Sequence, residues 1–152
     1  MNTRSPSAQH AVTLRIFNKA DCSQAIAFWS EFAGLALNET LDTPEALAEF
    51  LQRNPDFSLV AVDEDDKIIG AVLCGHNGRA GALYHLAVAE TYRSQGIAQA
   101  LVSHCYEKLI EANIHRCNIF VYGNNDEGNR FWLQNGFIDP VDWKVMQKRL
   151  DQ

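Results

Sequence analysis

The stretch L-Y-H-L-A-V-A-E-T-Y-R-S-Q-G-I-A-Q-A-L, residues 83–101, reads as a strand, a tight turn and the start of a long helix. Its turn is Arg93-Ser94-Gln95-Gly96-Ile97-Ala98. Such a turn exposes several backbone N–H groups at the positive end of a helix dipole, where a phosphate or pyrophosphate is stabilised. Gly96 lets the main chain approach an anion closely, and Ala98 keeps the helix near the sheet. A small-residue turn before a helix is a weak signal in its generic form. This form is more specific.

A second cluster follows downstream: Asn125, then Phe131-Trp132, then Asn135-Gly136-Phe137. The pattern R/Q-x-x-G-x-G/A, filled by Arg93, Gly96 and Ala98 after the strand residues Leu86-Ala87-Val88, resembles motif A of the GNAT (Gcn5-related N-acetyltransferase) superfamily. The second cluster resembles the family region that begins at an asparagine and ends on G-F, with Trp132 where the family usually has tyrosine. The two regions cover the C-terminal half of the chain. Glycine-isoleucine-alanine after the turn and the short C-terminus look most like the small bacterial acetyltransferases of the YpeA type, which brings no known substrate.

The resemblance implies a three-layer α/β fold. Its mixed, mostly antiparallel sheet is splayed between strands 4 and 5 and flanked by about four helices. It implies acetyl-CoA as co-substrate, with the pyrophosphate on the N–H groups of Arg93, Ser94, Gln95, Gly96, Ile97 and Ala98. The main chain of Leu86, Ala87 and Val88 would hydrogen-bond the pantetheine arm and the acetyl oxygen, an oxyanion-type donor set. Asn125, or Asn124 with the loop shifted by one, would contact the arm; either also suits a turn or a helix cap. The Arg93 side chain either pairs with phosphate or projects into solvent.

Acetyl transfer to an amine also needs a neutral nucleophile. An alkyl amine with a pKa near that of lysine, about 10.4, is neutral only about one time in a thousand at pH 7, so a base is useful. The glutamate that family branches often carry on the fourth or fifth strand is missing, its positions being Ala82 and Phe120. His85, Tyr84 and Tyr122 are the candidates nearby. His85 titrates in the useful range, though a strand histidine is also an ordinary packed residue. Tyr122 shares a face with Phe120 if the strand is regular. The family tyrosine is usually assigned as the acid for the departing thiolate. Indole N–H donates but does not ionise, so Trp132 slows that step without forbidding it, or is a packed aromatic. A thiol of pKa near 8.5 leaves tolerably without an acid.

Residues 1–10 read as a loose polar tail and 11–152 as a single acetyltransferase domain. Residues 12–17 alternate like a half-buried strand. Asp21 suits the cap of a helix that carries Cys22, Ala25, Ile26, Trp29 and Phe32 or Ala33 on one face and stops at Gly34. Asp42-Thr43-Pro44-Glu45 starts a second helix that runs to about Arg53. Residues 57–62 and 67–74 form a hairpin across Asp63-Glu64-Asp65-Asp66, and the turn Gly75-His76-Asn77-Gly78 places His76 in solvent. Ala98, Leu101, Val102, Cys105 and Leu109 form the inner face of the long helix, which ends near Asn113. A strand over 116–121, a helix over 126–134 and a last strand over 141–150 complete the order. In the helix-connecting region, Glu31, Glu39 and Asp42 read as a solvated face, or as an attraction for an ammonium group.

A chain of 152 residues can bury a real core in one domain. A net charge of −6 argues against nucleic acid, which needs a basic face. The cysteines are scattered without a C-x-x-C pair, so they read as buried thiols in a reducing compartment, with no metal site expected. No charged head precedes an apolar run, and no segment has the length of a membrane span, so the expected location is the cytoplasm. The expected activity is transfer of acetyl from acetyl-CoA to a primary amine of a small molecule or peptide by direct attack, with a homodimer plausible. The alternative is a non-catalytic acyl-CoA sensor.

Overall fold

The structure, a computed structural model, describes residues 11–139, 142 and 144–151. The expected tail over 1–10 lies outside them. The chain divides into two compact units, with the division between Phe120 and Val121.

The first unit is built on a five-stranded sheet in the order of the sequence: β1 (Thr13–Ile16), β2 (Leu59–Val62), β3 (Ile68–His76), β4 (Gly81–Val88) and β5 (Cys117–Ile119). The first four strands are antiparallel, and β5 runs parallel to β4. Helices α1 (Cys22–Trp29) and α2 (Pro44–Arg53) cover one face. Their core gathers Trp29, Leu47 and Leu51 with Val60, Ala71, Leu73 and Ala87 of the sheet. Helix α3 (Ile97–Glu111) covers the other face, where Leu101 approaches Gly70 and Leu109 approaches Gly81. Gly81 has room for no side chain, because a Cβ there would meet Leu109 at 2.6 Å.

Local chemistry explains most element ends. The Thr43 hydroxyl accepts the Ala46 N–H at 3.0 Å and Pro44 opens α2 without a wasted donor. Asn54 ends α2 and its amide oxygen accepts the His76 N–H, which fastens the helix to the end of β3. Asp63 closes the acidic hairpin turn by accepting the N–H groups of Asp65 and Lys67. Asn113, in the left-handed region at φ 64°, follows the end of α3.

Four expectations need correction. Asp21 does not cap α1 with its side chain: it completes a capping box with Asn18 around the preceding 3-10 turn and receives the fork of Arg15 at 2.8 Å. Helix α1 ends at Trp29, well before Gly34, where the Ser30 hydroxyl turns back to the Ile26 carbonyl. His76 is half-buried at the end of β3, its ring 5.3 Å from that of Phe57, because the strand continues through Gly75 and His76 and the turn begins two residues later than the sequence suggests. The described residues of the last expected strand over 141–150, which are 142 and 144–150, form no strand, and Val141 and Trp143 lie outside the described residues.

The second unit holds α4 (Asp126–Gln134), which begins and ends where its sequence does. Gly136 follows it at φ 89°. None of the helices is long and apolar enough to cross a membrane, and no group of three metal-binding side chains occurs, among the described residues.

Candidate active site

The turn after β4 has the backbone of an anion cradle. Ser94 and Gly96 both take positive φ, 63° and 80°, and Gly96 is the N-cap of α3. No side chain caps this helix, and its first internal bond is from the Ala100 N–H to the Gly96 carbonyl at 3.0 Å. The N–H groups of Ile97 and Ala98 therefore have no acceptor four residues back within the helix. A Cβ on Gly96 would meet nothing within 4 Å. An open pocket of about 270 Å³ adjoins the turn, with Gln95, Gly96, Ile97 and Ala100 on one side and Val12 and Leu14 on the other. Arg93 takes a course the sequence leaves undecided. Its Nε donates to the Val88 carbonyl at 3.3 Å and ties the turn back to the strand.

Strand β4 supplies the second part. Among the described residues it pairs with β5 only through Gly81, Ala82 and Leu83, and no other strand of them lies beside the edge from Tyr84 to Val88. The Ala89 N–H bonds to Ile69 of β3, and alternation then turns the main-chain groups of Val88 to the open edge. Against β3 the pairing slips: Leu73 faces Tyr84 but Ala71 faces Ala87, which leaves His85 and Leu86 opposite Val72 alone. This bulge holds His85 at φ 57°. One extra residue shifts the alternation, so Tyr84 and Ala87, three apart, both pack on the α1–α2 face.

His85 is thereby brought onto the face under α1. Its Nε2 lies 3.0 Å from Asp42 Oδ1, and its ring centroid lies 5.0 Å from that of Trp29. Asp42 is not the solvated acid expected: its side chain is 8% exposed, and its other oxygen accepts the Asn38 N–H at 2.7 Å. Burial opposes ionisation of Asp42, but the bonds from His85 and Asn38 and the charge of a protonated ring outweigh it, holding its carboxyl below the usual range. Tyr84 is half-buried between Phe50, edge-on at 5.9 Å, and Phe120, stacked at 5.8 Å. Burial, first, and the neighbouring thiols of Cys74 and Cys117 push its phenol up, so it stays protonated at neutral pH.

Three expected site residues fall in the second unit. Tyr122 is exposed and lies beyond β5, which ends at Ile119, so the regular strand that would align it with Phe120 is not there. Trp132 is buried between Phe131 at 4.9 Å and Phe137 at 5.2 Å, as a packed helix aromatic. Asn125 caps α4, its oxygen accepting the Gly128 N–H at 2.9 Å. The Asp42–His85 pair is what sequence reasoning missed. The two residues are 43 apart, and no local pattern joins them.

The family model described as the acetyltransferase (GNAT) family matches residues 24–137. The chain belongs to the GNAT acetyltransferase family. Membership makes it an N-acetyltransferase, and it agrees with the mixed sheet opened between β4 and β5. An acetyltransferase of Sodalis glossinidius is 33% identical over 114 residues, covering 74% of this chain and 78% of the relative. A GNAT-family acetyltransferase of Staphylococcus aureus shares the fold at TM-score 0.73 and 19% identity, over 93% of this chain and 95% of that one. The PaiA N-acetyltransferase of Thermoplasma acidophilum, solved in complex with coenzyme A, superposes at TM-score 0.67 and 18% identity, over 82% and 88%.

The two paired aspartates make the fold acid-sensitive. Burial opposes ionisation of Asp21, but the Arg15 fork, the Asn18 N–H and the Arg15 charge outweigh it. Both Asp21 and Asp42 therefore ionise at lower pH in the fold than in the unfolded chain, where aspartate titrates near 3.9. Their contribution is complete above about pH 4 and is lost as pH falls through the lower folded values. Urea midpoints followed from pH 6 to pH 2.5 are expected to drop at the acid end. The drop should be shallower in the double variant Asp21→Asn/Asp42→Asn.

Proposed function

We propose that this acetyltransferase moves the acetyl group of acetyl-CoA to a primary amine of a small molecule or peptide by direct attack. The observation that carries the reading is one junction: a strand edge left open from Tyr84 to Val88 leads into an uncapped helix N-terminus at Gly96. The donor set fits the co-substrate. Main-chain groups of Leu86 and Val88 would bind the pantetheine arm and polarise the acetyl carbonyl, while those of Ala87, expected there from the sequence, turn inward to Ala71 of β3. The turn from Arg93 through Ser94, Gln95, Gly96 and Ile97 to Ala98 would hold the pyrophosphate. The coenzyme A complex of the Thermoplasma acidophilum neighbour supports this choice of donor.

The test is release of free coenzyme A from acetyl-CoA against polyamines, amino acids, aminoglycosides and short peptides, with acetyl-CoA binding followed by calorimetry. Turnover with an amine is expected and gives the acceptor class. Tight binding without turnover across amines of every class would favour the acyl-CoA sensor. Absence of binding would overturn both readings.

A further inference from the structure

We infer that Asp42 is the positioning residue of a His85 base, holding the Nε2–H of the ring so that Nδ1 takes the proton from the acceptor amine. The inference rests on the acetyl-transfer reading above.

The first support is the ring's hydrogen bonding. The contact of Nε2 with Asp42 is the one hydrogen bond His85 makes among the described residues. Neutral imidazole has one N–H and one lone pair, and an ionised carboxylate accepts only. Nε2 must then carry the hydrogen, and Nδ1 the lone pair. Asp42 itself is fixed within a closed loop: its N–H bonds to the Asn38 carbonyl, its Oδ2 accepts the Asn38 N–H, and Asn38 Oδ1 accepts the N–H groups of Thr40 and Leu41. A carboxylate held in this way orients a ring without swinging away.

The second support is the backbone. A histidine at φ 57° inside a strand is uncommon, and the bulge that imposes it lies on the part of β4 that β5 has left. The third is access. The side chain retains 16% exposure despite the cover of Trp29. Among the described residues, the ionisable group in contact with the ring is Asp42 from the α1–α2 loop, while α1 contributes the uncharged Trp29.

The chemistry balances with these groups alone. The acceptor ammonium gives one proton to Nδ1, and its freed lone pair attacks the acetyl carbon. The C–N bond forms and the C–S bond breaks, with the electron pair leaving on the coenzyme A sulfur. The second proton of the nitrogen passes to that sulfur, and the imidazolium returns its proton to solvent. The Asp42 carboxylate stays ionised throughout and stabilises the imidazolium.

The experiment joins kinetics to 15N NMR of the intact protein. Above pH 8, the His85 ring should show a protonated Nε2 and an unprotonated Nδ1, a readout that needs no acceptor. His85→Gln should lower kcat by about a hundredfold or more, the scale of general-base catalysis, and abolish the acidic limb of the pH–rate profile. Its affinity for acetyl-CoA should be unchanged. Asp42→Asn should lower kcat and leave the ring above pH 8 as a mixture of Nε2–H and Nδ1–H forms, and Asp42→Glu should restore the Nε2–H form partly. An Nδ1–H tautomer in the wild type would overturn the assignment. So would a His85→Gln variant within threefold of wild-type kcat, or an Asp42→Asn variant that loses stability while its ring keeps the Nε2–H form alone. Failure of the wild type to bind acetyl-CoA would instead fall on the acetyl-transfer reading.

Discussion

Gly96→Val is expected to leave a folded protein that binds acetyl-CoA at least about a hundredfold more weakly. The new Cβ would meet nothing within 4 Å, so no packing is disturbed. At φ 80°, however, a β-branched residue resists the left-handed conformation, at a cost of about 1–2 kcal/mol. Relaxing that strain turns the first N–H groups of α3 away, and the added methyls occupy the space through which a pyrophosphate would reach them. A hundredfold loss corresponds to about 2.7 kcal/mol, so strain and obstruction are both needed. Gly78→Val is the control. Gly78 also has positive φ, 89°, and open space, but it lies in the β3–β4 turn, at the other end of β4 from Gly96. It should lose similar stability in a urea titration and keep full affinity by calorimetry. Wild-type affinity in Gly96→Val would mean that this turn does not hold the co-substrate.

Trp29→Ala should be the most damaging core change, lowering stability by about 3–5 kcal/mol. The indole is fully buried, 5.9 Å from the Phe17 ring and 5.0 Å from His85, so its removal opens the core under the bulge. Trp29→Phe should cost far less. The Trp29 Nε1 is buried and has no hydrogen-bond partner among the described residues, so Trp29→Phe sacrifices none of the bonds they make. Urea unfolding at neutral pH distinguishes the two. A loss below about 1 kcal/mol for Trp29→Ala would show that the core does not close around this residue.

These variants act on features of different legibility. The Gly96 turn could be read directly, because the strand, the small residues and the helix that define it are contiguous in the chain. The same holds for α2, whose Thr43 cap and Pro44 start are adjacent, and for the hairpin closed by Asp63. Trp132 could be read as a residue type but not as an environment. Only the packed structure shows it between Phe131 and Phe137. Asp21 looked like a helix cap because caps are judged from neighbours in sequence, whereas its carboxylate is claimed by Arg15 from β1. Strand ends were the least legible. β5 stops at Ile119 although apolar residues continue, since a strand extends only as far as a partner pairs with it.

Short-range chemistry was enough for the order of elements through α4, the strand–turn–helix at Gly96 and the family to which they belong. Tertiary structure alone decided the bulge at His85, the open edge of β4 and the union of His85 with Asp42. Register and pairing are set by which distant segments meet, and no local propensity encodes a partner 43 residues away.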